Sequence, residues 1–528
     1  MCAQRLHTPG RTWNRRQILA FGGSLLTAWP SLENLASAGF RRNVSGGDYP
    51  FALGVASGDP TPDGFVLWTR LAPKPLEGGG MPHENVEVRW KVCRDEAMTQ
   101  VAAEGTAIAT PDMGHSIHVE ASGLEPDRRY YYQFAGAGDI SPKGRARTAP
   151  RFDAMPDDLK FAFASCQHFE TGYYTAYEHM VREDFDLVAH LGDYIYEREG
   201  ADGRVRKHAG PYLDQLSDYR IRHAQYKTDP HLQAAHAMCP WIVTWDDHEF
   251  DNNYASDIPE HPNAPRNERA KFMQRRANAY KAYYEHMPLR SAQLPSGPDM
   301  QLYRKVKFGR LADFEVLDTR QYRSDQPCGD GKKRVCEDAL SPTASILGDR
   351  QEQWLNQEIA NSNSVWNVLA QQVMMGRVDR EGGEGAAYSM DQWPGYEANR
   401  QRLLRFFSQH ADKNPVVITG DIHSNWANDL QINADDADSP AVAVEFVGTS
   451  ISSSGDGALQ AKHTPQVLAE NPFVKFNNYE RGYVACQLTP QTWTTHYRTI
   501  PYVTKPGAPL NTRASFVLEA GQPGLNKA

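Results

Sequence analysis

The stretch Trp241-Ile-Val-Thr-Trp-Asp-Asp-His-Glu-Phe-Asp-Asn-Asn253 is the most informative part of this sequence. Its apolar and β-branched first half is typical of a strand that is buried on both faces. Its second half is a cluster of carboxylate, imidazole and amide side chains. Because ligands bind beyond the carboxyl ends of strands in open α/β sheets, the stretch predicts a buried strand that carries reactive groups into a site.

Three further apolar runs are each followed by polar and ionisable side chains. They are followed by Ser165-Cys166-Gln167, by Gly192-Asp193-Tyr194-Ile195-Tyr196-Glu197, and by Gly420-Asp421-Ile422-His423. Segments with helical character separate the runs, for example at 267–286 and 349–361. Buried strands that alternate with helices predict a covered α/β sheet. We therefore expect the polar motifs to meet at one edge of that sheet.

The residue types in these motifs favour a metal centre with two kinds of ion. The Cys166 thiolate and the Tyr196 phenolate suit an acidic transition ion such as Fe(III), whereas carboxylates and amide oxygens suit Ca²⁺ or Mg²⁺. Each motif alone also has an ordinary interpretation. Gly-Asp is often a turn, Asp246-Asp-His-Glu249 is compatible with a capped helix start, and a lone cysteine is often simply buried. Their combination after buried strands favours the metal centre.

The composition is that of a globular chain and excludes several function classes. The 528 residues correspond to about two to four domains, and 40% hydrophobic with 23% charged residues is typical of folded proteins. The net charge of 56 − 65 = −9 argues against a nucleic-acid scaffold or a binder of anionic membranes. A mean hydropathy of −0.62 excludes a multi-pass membrane protein.

Residues 1–38 are typical of an export signal. Arg15-Arg16 precedes a mildly apolar stretch at 18–29, and the small residues of Ala36-Ser-Ala38 form a cleavage site. The apolar stretch is shorter than the roughly 20 residues that span a membrane. These features predict a twin-arginine signal, the twin-arginine translocase as a partner during export, a periplasmic or extracellular location and no stable membrane anchor. An ordinary basic signal of the general secretion pathway is the alternative.

The chain beyond the signal is predicted to form a small all-β domain and a larger α/β domain. Residues 39–49 are rich in Gly, Ser and Arg, which predicts a mobile segment. Residues 50–150 contain short alternating strands and the order Leu124-x-Pro-x-x-x-Tyr-x-Tyr132, as in a fibronectin- or immunoglobulin-like sandwich with a tyrosine corner. The larger domain is expected at 158–500, and the tail at 501–528 is expected to pack on the domains.

On these motifs the sequence resembles the alkaline phosphatase D family, the PhoD-like branch of the calcineurin-type metallophosphoesterases. The resemblance is carried by Ser165-Cys166, by the Asp193-x-x-Tyr196 spacing, by Trp245-Asp-Asp-His-Glu249 and by Gly420-Asp-Ile-His423. General metallophosphoesterases have Gly-Asn-His-Glu where this chain has Asp-Asp-His-Glu. The resemblance implies an α/β/β/α metallophosphoesterase fold, in which a β-sandwich core is flanked by helices, preceded by a fibronectin-like all-β domain.

The resemblance also implies the metals and their ligands, namely one Fe(III) together with Ca²⁺ ions. The matching iron ligands in this sequence are Cys166, Asp193, Tyr196 and His423. On the calcium side, Asp193 and Asp421 would bridge, and Asp246 or Asp247 together with Asn253 would complete the set. The choices between the adjacent acids, and between Asn252 and Asn253, stay open at this point.

The catalytic residues implied by the resemblance are Asp193 and His248. His248 matches the histidine beside the phosphate in the wider superfamily, where it would stabilise or protonate the leaving group. An arginine is expected to hold the phosphate oxygens, and the candidates are Arg320, Arg377 and Arg400.

The resulting hypothesis is an exported, metal-dependent phosphoesterase that hydrolyses phosphate monoesters or diesters of small molecules or lipids through a metal-held hydroxide. A phospholipase D-type phosphodiesterase of the same family and a non-catalytic extracellular binding protein are the alternatives. The pocket walls that distinguish substrates are expected in 198–235, 255–266 and 378–396. Cys328 and Cys336 flank a short loop, which is compatible with a local disulfide outside the cytoplasm.

Overall fold

The computed structural model describes residues 49–381, 383–436 and 438–528. The predicted export signal at 1–38 lies outside the described residues, and so does the predicted mobile segment at 39–49 except for Tyr49. Among the helices of the described ranges, none combines the length and the apolar character that a membrane span requires.

Most of the regular structure is β-strand. In chain order the strands are β1 (Val55–Thr61), β2 (Gly64–Arg70), β3 (Val86–Cys93), β4 (Val101–Ala109), β5 (Ser116–Ala121), β6 (Arg129–Gly136), β7 (Asp139–Ile140), β8 (Gly144–Arg147), β9 (Leu159–Ala164), β10 (Leu187–Leu191), β11 (Pro240–Thr244), β12 (Arg304–Phe308), β13 (Ala312–Val316), β14 (Lys332–Lys333), β15 (Trp366–Ala370), β16 (Tyr388–Ser389), β17 (Pro415–Thr419), β18 (Asn425–Gln431), β19 (Ala441–Val447), β20 (Val474–Asn478), β21 (Arg481–Leu488), β22 (Thr492–Ile500), β23 (Asn511–Glu519) and β24 (Gln522–Lys527). The α-helices are α1 (Thr175–Met180), α2 (Leu216–Lys227), α3 (Pro230–Met238), α4 (Arg269–His286), α5 (Gly348–Ala360), α6 (Glu397–Gln409) and α7 (Thr464–Glu470).

Two large sheets form the body of the molecule. The ten-stranded sheet has the order β24-β23-β22-β21-β9-β10-β11-β1-β2-β5, and the seven-stranded sheet has the order β12-β13-β15-β17-β19-β18-β20. Neighbouring strands are parallel from β9 to β1 in the first sheet and from β13 to β19 in the second. The parallel strands therefore occupy the middle of both sheets, with antiparallel strands outside them.

The two sheets pack face to face, and helices cover their outer faces. Phe161 of the ten-stranded sheet meets Phe314 of the other sheet with ring centroids 5.2 Å apart, and Trp493 meets Trp366 at 5.8 Å. Helices α1 to α4 bury their apolar residues against the outer face of the larger sheet, and α5 and α6 do so against the smaller one. The α/β/β/α architecture with its β-sandwich core is thus confirmed.

The N-terminal β-strands share a sheet with the rest of the protein. A smaller sheet with the order β4-β3-β6-β7, in which β8 also pairs with β6, packs its apolar face on β1, β2 and β5. Tyr130 accepts a hydrogen bond at its hydroxyl from the backbone N–H of Glu125 at 2.9 Å, the contact of a tyrosine corner. Since β1, β2 and β5 also belong to the ten-stranded sheet, the predicted sandwich at 50–150 is continuous with the main body. The tail beyond residue 501 likewise adds β23 and β24 to one edge of that sheet.

The sequence motifs all follow parallel strands. Cys166 comes after β9, Asp193 after β10, and Asp246 after β11, which are neighbours in the ten-stranded sheet. Asp421 comes after β17 of the facing sheet. Because the strands are parallel within each sheet, their carboxyl ends bring the motifs to one end of the sandwich.

A disulfide joins Cys328 and Cys336, whose Cα atoms are 5.9 Å apart. The short strand β14 lies inside this loop and pairs with β16. Asp330 of the loop accepts a hydrogen bond from Asn253 Nδ2 at 3.3 Å, so the loop also touches the Trp241–Asn253 stretch.

One buried histidine makes the stability of the fold sensitive to acid. His190 lies in β10, is 1% exposed, and has no hydrogen-bond partner for Nε2 among the described residues. Burial, helped by the charge of Lys227, lowers the pKa of His190 from 6.5 to about 3. Because this folded-state pKa lies below the unfolded value, the stabilising contribution is complete above pH 6.5 and is lost as the pH falls towards 3.

At pH 5 the free energy of unfolding is lower by about 2 kcal/mol because of His190, since pH 5 lies ~1.5 units below the unfolded-state pKa of 6.5. We expect His190→Gln to reduce the difference in unfolding free energy between pH 7.5 and pH 5, measured by urea denaturation. His231→Gln is the matched control, since that side chain is 40% exposed, and it should leave the difference unchanged. An identical pH difference in wild type and His190→Gln would contradict this account.

Candidate metal centre

The residues expected to hold iron come together at one end of the sandwich. Cys166, Asp193 and His423 each place one ligand atom within 4.8 Å of the others. The Tyr196 hydroxyl donates to Asp193 Oδ2 at 2.6 Å and lies 3.3 Å from His423 Nε2. All four side chains therefore converge, although 257 positions separate Cys166 from His423 in the sequence.

The carboxylates expected on the calcium side form an adjoining group. Ligand atoms of Asp246, Asp247 and Asp421 lie within 4.8 Å of one another, and the same holds for Asp193, Asp247 and His248. Asp193 thus belongs to both halves of the site. Both members of the Asp246-Asp247 pair reach the cluster, so the alternatives left open by the sequence are both present in it.

Of the two asparagines, Asn253 contacts the cluster. Its backbone N–H donates to Asp247 Oδ2 at 2.7 Å, and its side-chain amide donates to Asp330. Asn252 instead donates through Nδ2 to Glu260 Oε2 at 2.9 Å. Asn253 therefore contacts the cluster through its backbone N–H, which orients the Asp247 carboxylate.

The backbone is strained at the candidate ligands themselves. Cys166, Asp193, Asp421 and His423 have φ angles of 58°, 56°, 65° and 54°, in the left-handed region that non-glycine residues rarely adopt. Such residues persist where surrounding contacts hold them, and they concentrate at functional sites. Gly192, with φ of 105°, lies so close to Asp246 that a Cβ at this position would be 2.4 Å from the Asp246 Cβ.

Burial disfavours the charged forms of several ligands in the cluster. It raises the pKa of the Cys166 thiol and of the Tyr196 phenol well above their ordinary values, and the charge of Asp193 adds to both effects. Burial also raises the pKa of Asp193 itself. Burial and the charge of Arg481 lower the pKa of His423 to about 3, which keeps its imidazole neutral and able to act as a ligand.

These groups fit a bound cation. Asp193 Oδ1 and Asp246 Oδ2 are buried and have no hydrogen-bond partner among the described residues. Buried charged oxygens without partners are costly, and a metal ion would satisfy them and favour the thiolate and phenolate forms. The donor set of thiol, phenol, imidazole and carboxylate matches a mixed centre of a transition ion and a hard divalent ion.

The positive charge of Arg320 offsets part of the negative charge of the carboxylate cluster. Its guanidinium is fully buried, contacts Asp246 Oδ1, and binds both oxygens of Asp391 at 2.9 Å. Because these carboxylates engage it, the arrangement differs from the predicted grip on phosphate. The other two predicted arginines pair elsewhere, Arg377 with Asp435 at 2.6 Å and Arg400 with Glu397 at 3.2 Å.

Comparison with known proteins agrees with this geometry. The family model described as PhoD-like phosphatase matches residues 161–497, and the model of its N-terminal domain matches residues 35–150. This chain belongs to the PhoD-like phosphatase family. The resemblance inferred from the motifs, and with it the prediction of a phosphatase enzyme, is confirmed.

Relatives of this family match nearly the whole chain. Alkaline phosphatase D of Bacillus subtilis (strain 168) is 48% identical over 524 residues, which is 98% of this chain and 89% of that protein. A solved structure described as the structure of PhoD has a TM-score of 0.89 at 50% identity, and the match covers 92% of this chain and 93% of that chain.

Glu249 is a structural member of this PhoD-like site that the sequence interpretation did not assign. Its buried carboxylate accepts the backbone N–H groups of Asp193 at 3.1 Å and of Asp246 at 2.9 Å, and that of Tyr194 as well. One side chain therefore ties together the loops after β10 and β11. Its presence in the quoted Asp-Asp-His-Glu motif was the available signal.

Glu197 is the second residue that sequence reasoning missed, although it directly follows Tyr196. Its buried carboxylate accepts a hydrogen bond from His248 Nδ1 at 2.7 Å. Burial works against a charged His248, but the carboxylates of Glu197, Asp193 and Asp247 together raise its pKa well above the ordinary value. The raised pKa favours the protonated form of His248, and Glu197 holds its imidazole by one ring nitrogen.

A cavity of about 780 Å³ adjoins the centre. His168 and Glu197 line it, and the His168 ring lies 4.2 Å from the ring of Tyr196. Much of the remaining lining comes from 198–235 and 255–266, two of the segments expected to form pocket walls. Within 198–235, Arg206 pairs with Asp229 at 2.7 Å, whereas Arg204 lines the cavity.

Proposed function

We propose that this PhoD-like phosphatase is an exported, metal-dependent enzyme that hydrolyses phosphate monoesters to phosphate and an alcohol, or phosphate diesters to a monoester and an alcohol. The observation that carries the proposal is the convergence of Cys166, Tyr196 and His423 with a cluster of buried carboxylates around Asp193. The name of the Bacillus subtilis relative, alkaline phosphatase D, supports the same chemistry.

We assign Fe(III) to the group of Cys166, Asp193, Tyr196 and His423. We assign Ca²⁺ to the group of Asp193, Asp246, Asp247 and Asp421, with Asn253 beside it. When bound, such ions neutralise the charge of the phosphate and lower the pKa of water to give a nucleophile at moderate pH.

In this proposal the protein side chains orient the reaction and move one proton. Asp193, shared by both groups, fixes the two halves of the centre relative to each other. His248 is anchored through Nδ1 by Glu197, which leaves Nε2–H as its free donor. As the ester P–O bond breaks, this N–H gives its proton to the leaving oxygen, and the Glu197 carboxylate steadies the ring.

The character of the cavity bears on the substrate. Its lining is dominated by charged and polar side chains, among them Arg198, Arg204 and Glu199. Such walls suit polar substituents on the phosphate better than acyl chains. We therefore favour polar phosphate esters over phospholipids, which makes the phospholipase D-type alternative the weaker one. A non-catalytic binding role is also disfavoured, because the chain retains every motif of the centre.

We further propose export to the periplasm or the exterior through the twin-arginine translocase, on the basis of Arg15-Arg16 and the short apolar stretch at 18–29. Changing Arg15-Arg16 to Lys-Lys should leave the protein in the cytoplasm of an expressing bacterium, as measured by fractionation and immunoblotting. Continued export of this variant would indicate the general secretion pathway instead.

The metal assignment is tested by elemental analysis of the natively produced protein. We expect about one iron per chain together with calcium, since the donor set divides into a thiolate–phenolate half and a carboxylate half. Cys166→Ser should lose iron and visible colour, whereas Cys486→Ser, a buried cysteine of β21, should keep both. Zinc in place of iron and calcium, or unchanged colour in Cys166→Ser, would refute the assignment.

The role of His248 is tested with esters that differ in their leaving group. An alkyl phosphate needs a proton on the departing oxygen, whereas a nitrophenyl phosphate leaves as a stable anion. His248→Asn should therefore lower kcat about 10²–10⁴-fold for the alkyl ester and much less for the nitrophenyl ester. Glu197→Gln should show the same preference to a smaller extent. Equal losses on both esters would rule out proton donation by His248.

A further inference from the structure

The loop that follows β19 lies directly against the iron side of the centre. Its backbone is tied to the chain around Cys166, because Ile451 N–H donates to Ser165 O at 3.0 Å and Ser453 N–H donates to Cys166 O at 3.2 Å. Gly482 N–H donates to Ser450 O at 3.1 Å and ties the loop to β21 as well. Backbone hydrogen bonds alone therefore hold the loop on two sides.

The Ser453 hydroxyl is the side-chain group of this loop that reaches the centre most directly. It is 1% exposed, lies 2.7 Å from the Tyr196 hydroxyl, and donates to Cys166 O at 2.7 Å. It also accepts the backbone N–H of His168 at 3.0 Å. One oxygen atom thus joins three residues of the site and its cavity wall.

The number of available protons limits what this hydroxyl can do. A serine hydroxyl has one proton to donate, and here two oxygens lie at the same distance to receive it. In the structure Tyr196 keeps its own proton and donates it to Asp193 Oδ2. A Tyr196 that held a metal would do so as a phenolate, and a phenolate oxygen can only accept hydrogen bonds.

We infer that Ser453 is a positioning residue for the iron side: it turns its hydroxyl proton to the Tyr196 oxygen when that oxygen holds the metal. The inference rests on the proposed function, because it needs Tyr196 to be an iron ligand. Hydrogen bonds from neighbouring groups orient metal ligands and tune the electronic properties of the metal. The hydrogen bond from Ser453 stabilises the phenolate lone pairs and fixes the direction of the ring.

The next residue makes a similar contact with another candidate ligand. Ser454 Oγ lies 2.9 Å from His423 Nδ1, which leaves His423 Nε2 on the side of Tyr196. Ser452 differs from both, since its buried hydroxyl donates to His168 O at 2.9 Å and touches none of the candidate ligands. Ser452 therefore provides a matched control from the same loop.

The test is the visible absorption of the iron-loaded protein, in which a phenolate ligand produces a charge-transfer band. Ser453→Ala should move this band to longer wavelength, because the phenolate lone pairs lose a stabilising hydrogen bond. It should also weaken iron binding about 10-fold or more, measured by competition with a chelator. Ser452→Ala should change neither quantity, and Ser453→Thr, which keeps the hydroxyl, should restore the band position.

The outcomes separate this inference from the function on which it rests. A wild-type protein that binds iron without such a band would overturn the Tyr196 assignment and the inference with it. A wild-type band that is unmoved in Ser453→Ala, with unchanged iron affinity, would overturn the inference alone. If Ser453→Ala does not fold, Ser453→Cys carries a weaker donor of similar size and should give an intermediate shift. No shift in Ser453→Cys would then refute it.

Discussion

The burial of many ionisable groups at one end of two facing sheets is the constraint on which the rest of the site depends. Carboxylates, a thiol and a phenol lie within hydrogen-bonding or ligand distance of one another, and burial raises the pKa values of Cys166, Tyr196 and Asp193. Like charges at this spacing repel strongly where water is excluded. The cluster therefore fits bound cations, which would satisfy the carboxylate oxygens that have no hydrogen-bond partner among the described residues.

Other residues offset the charge of this cluster and hold its loops in place. Arg320 lies among the carboxylates and offsets part of their charge, and Glu249 ties the backbone of two ligand loops together. Glu249 holds the backbone N–H of Asp193, and the Gly192 carbonyl accepts the backbone N–H of Cys166 at 3.1 Å, so both left-handed residues are held by hydrogen bonds. The Ser450–Ser454 loop adds further hydrogen bonds beside Cys166 and Tyr196. Support from several directions is what a precisely oriented metal site requires.

Much of the fold was predictable because apolar runs and helical segments are local patterns that can be recognised in the sequence. The apolar runs that end in Cys166, Asp193 and Asp246 are strands of the larger sheet, and the helical segment at 267–286 corresponds to α4 at Arg269–His286. The pattern of buried strands did not reveal how they divide between two sheets, because both sheets present apolar faces to the same core. Nor did it reveal that β1, β2 and β5 of the N-terminal region continue the main sheet, since strand pairing over such sequence distances leaves no local trace.

Strand periodicity and the motifs are local properties of the chain, so they specify which chemical groups are available and after which strands these groups lie. On that basis we predicted that Cys166, Asp193 and His423 converge, and the structure brings these three side chains together. The contacts of Arg320, Glu197 and Ser453 with the centre are visible only in the folded chain. Each acts through contacts that depend on the packing of two sheets, and an arginine, a glutamate or a serine is too common for its position in a sequence to indicate such a contact. Burial and neighbouring charges together shift the pKa values of these groups, and both depend on the folded chain.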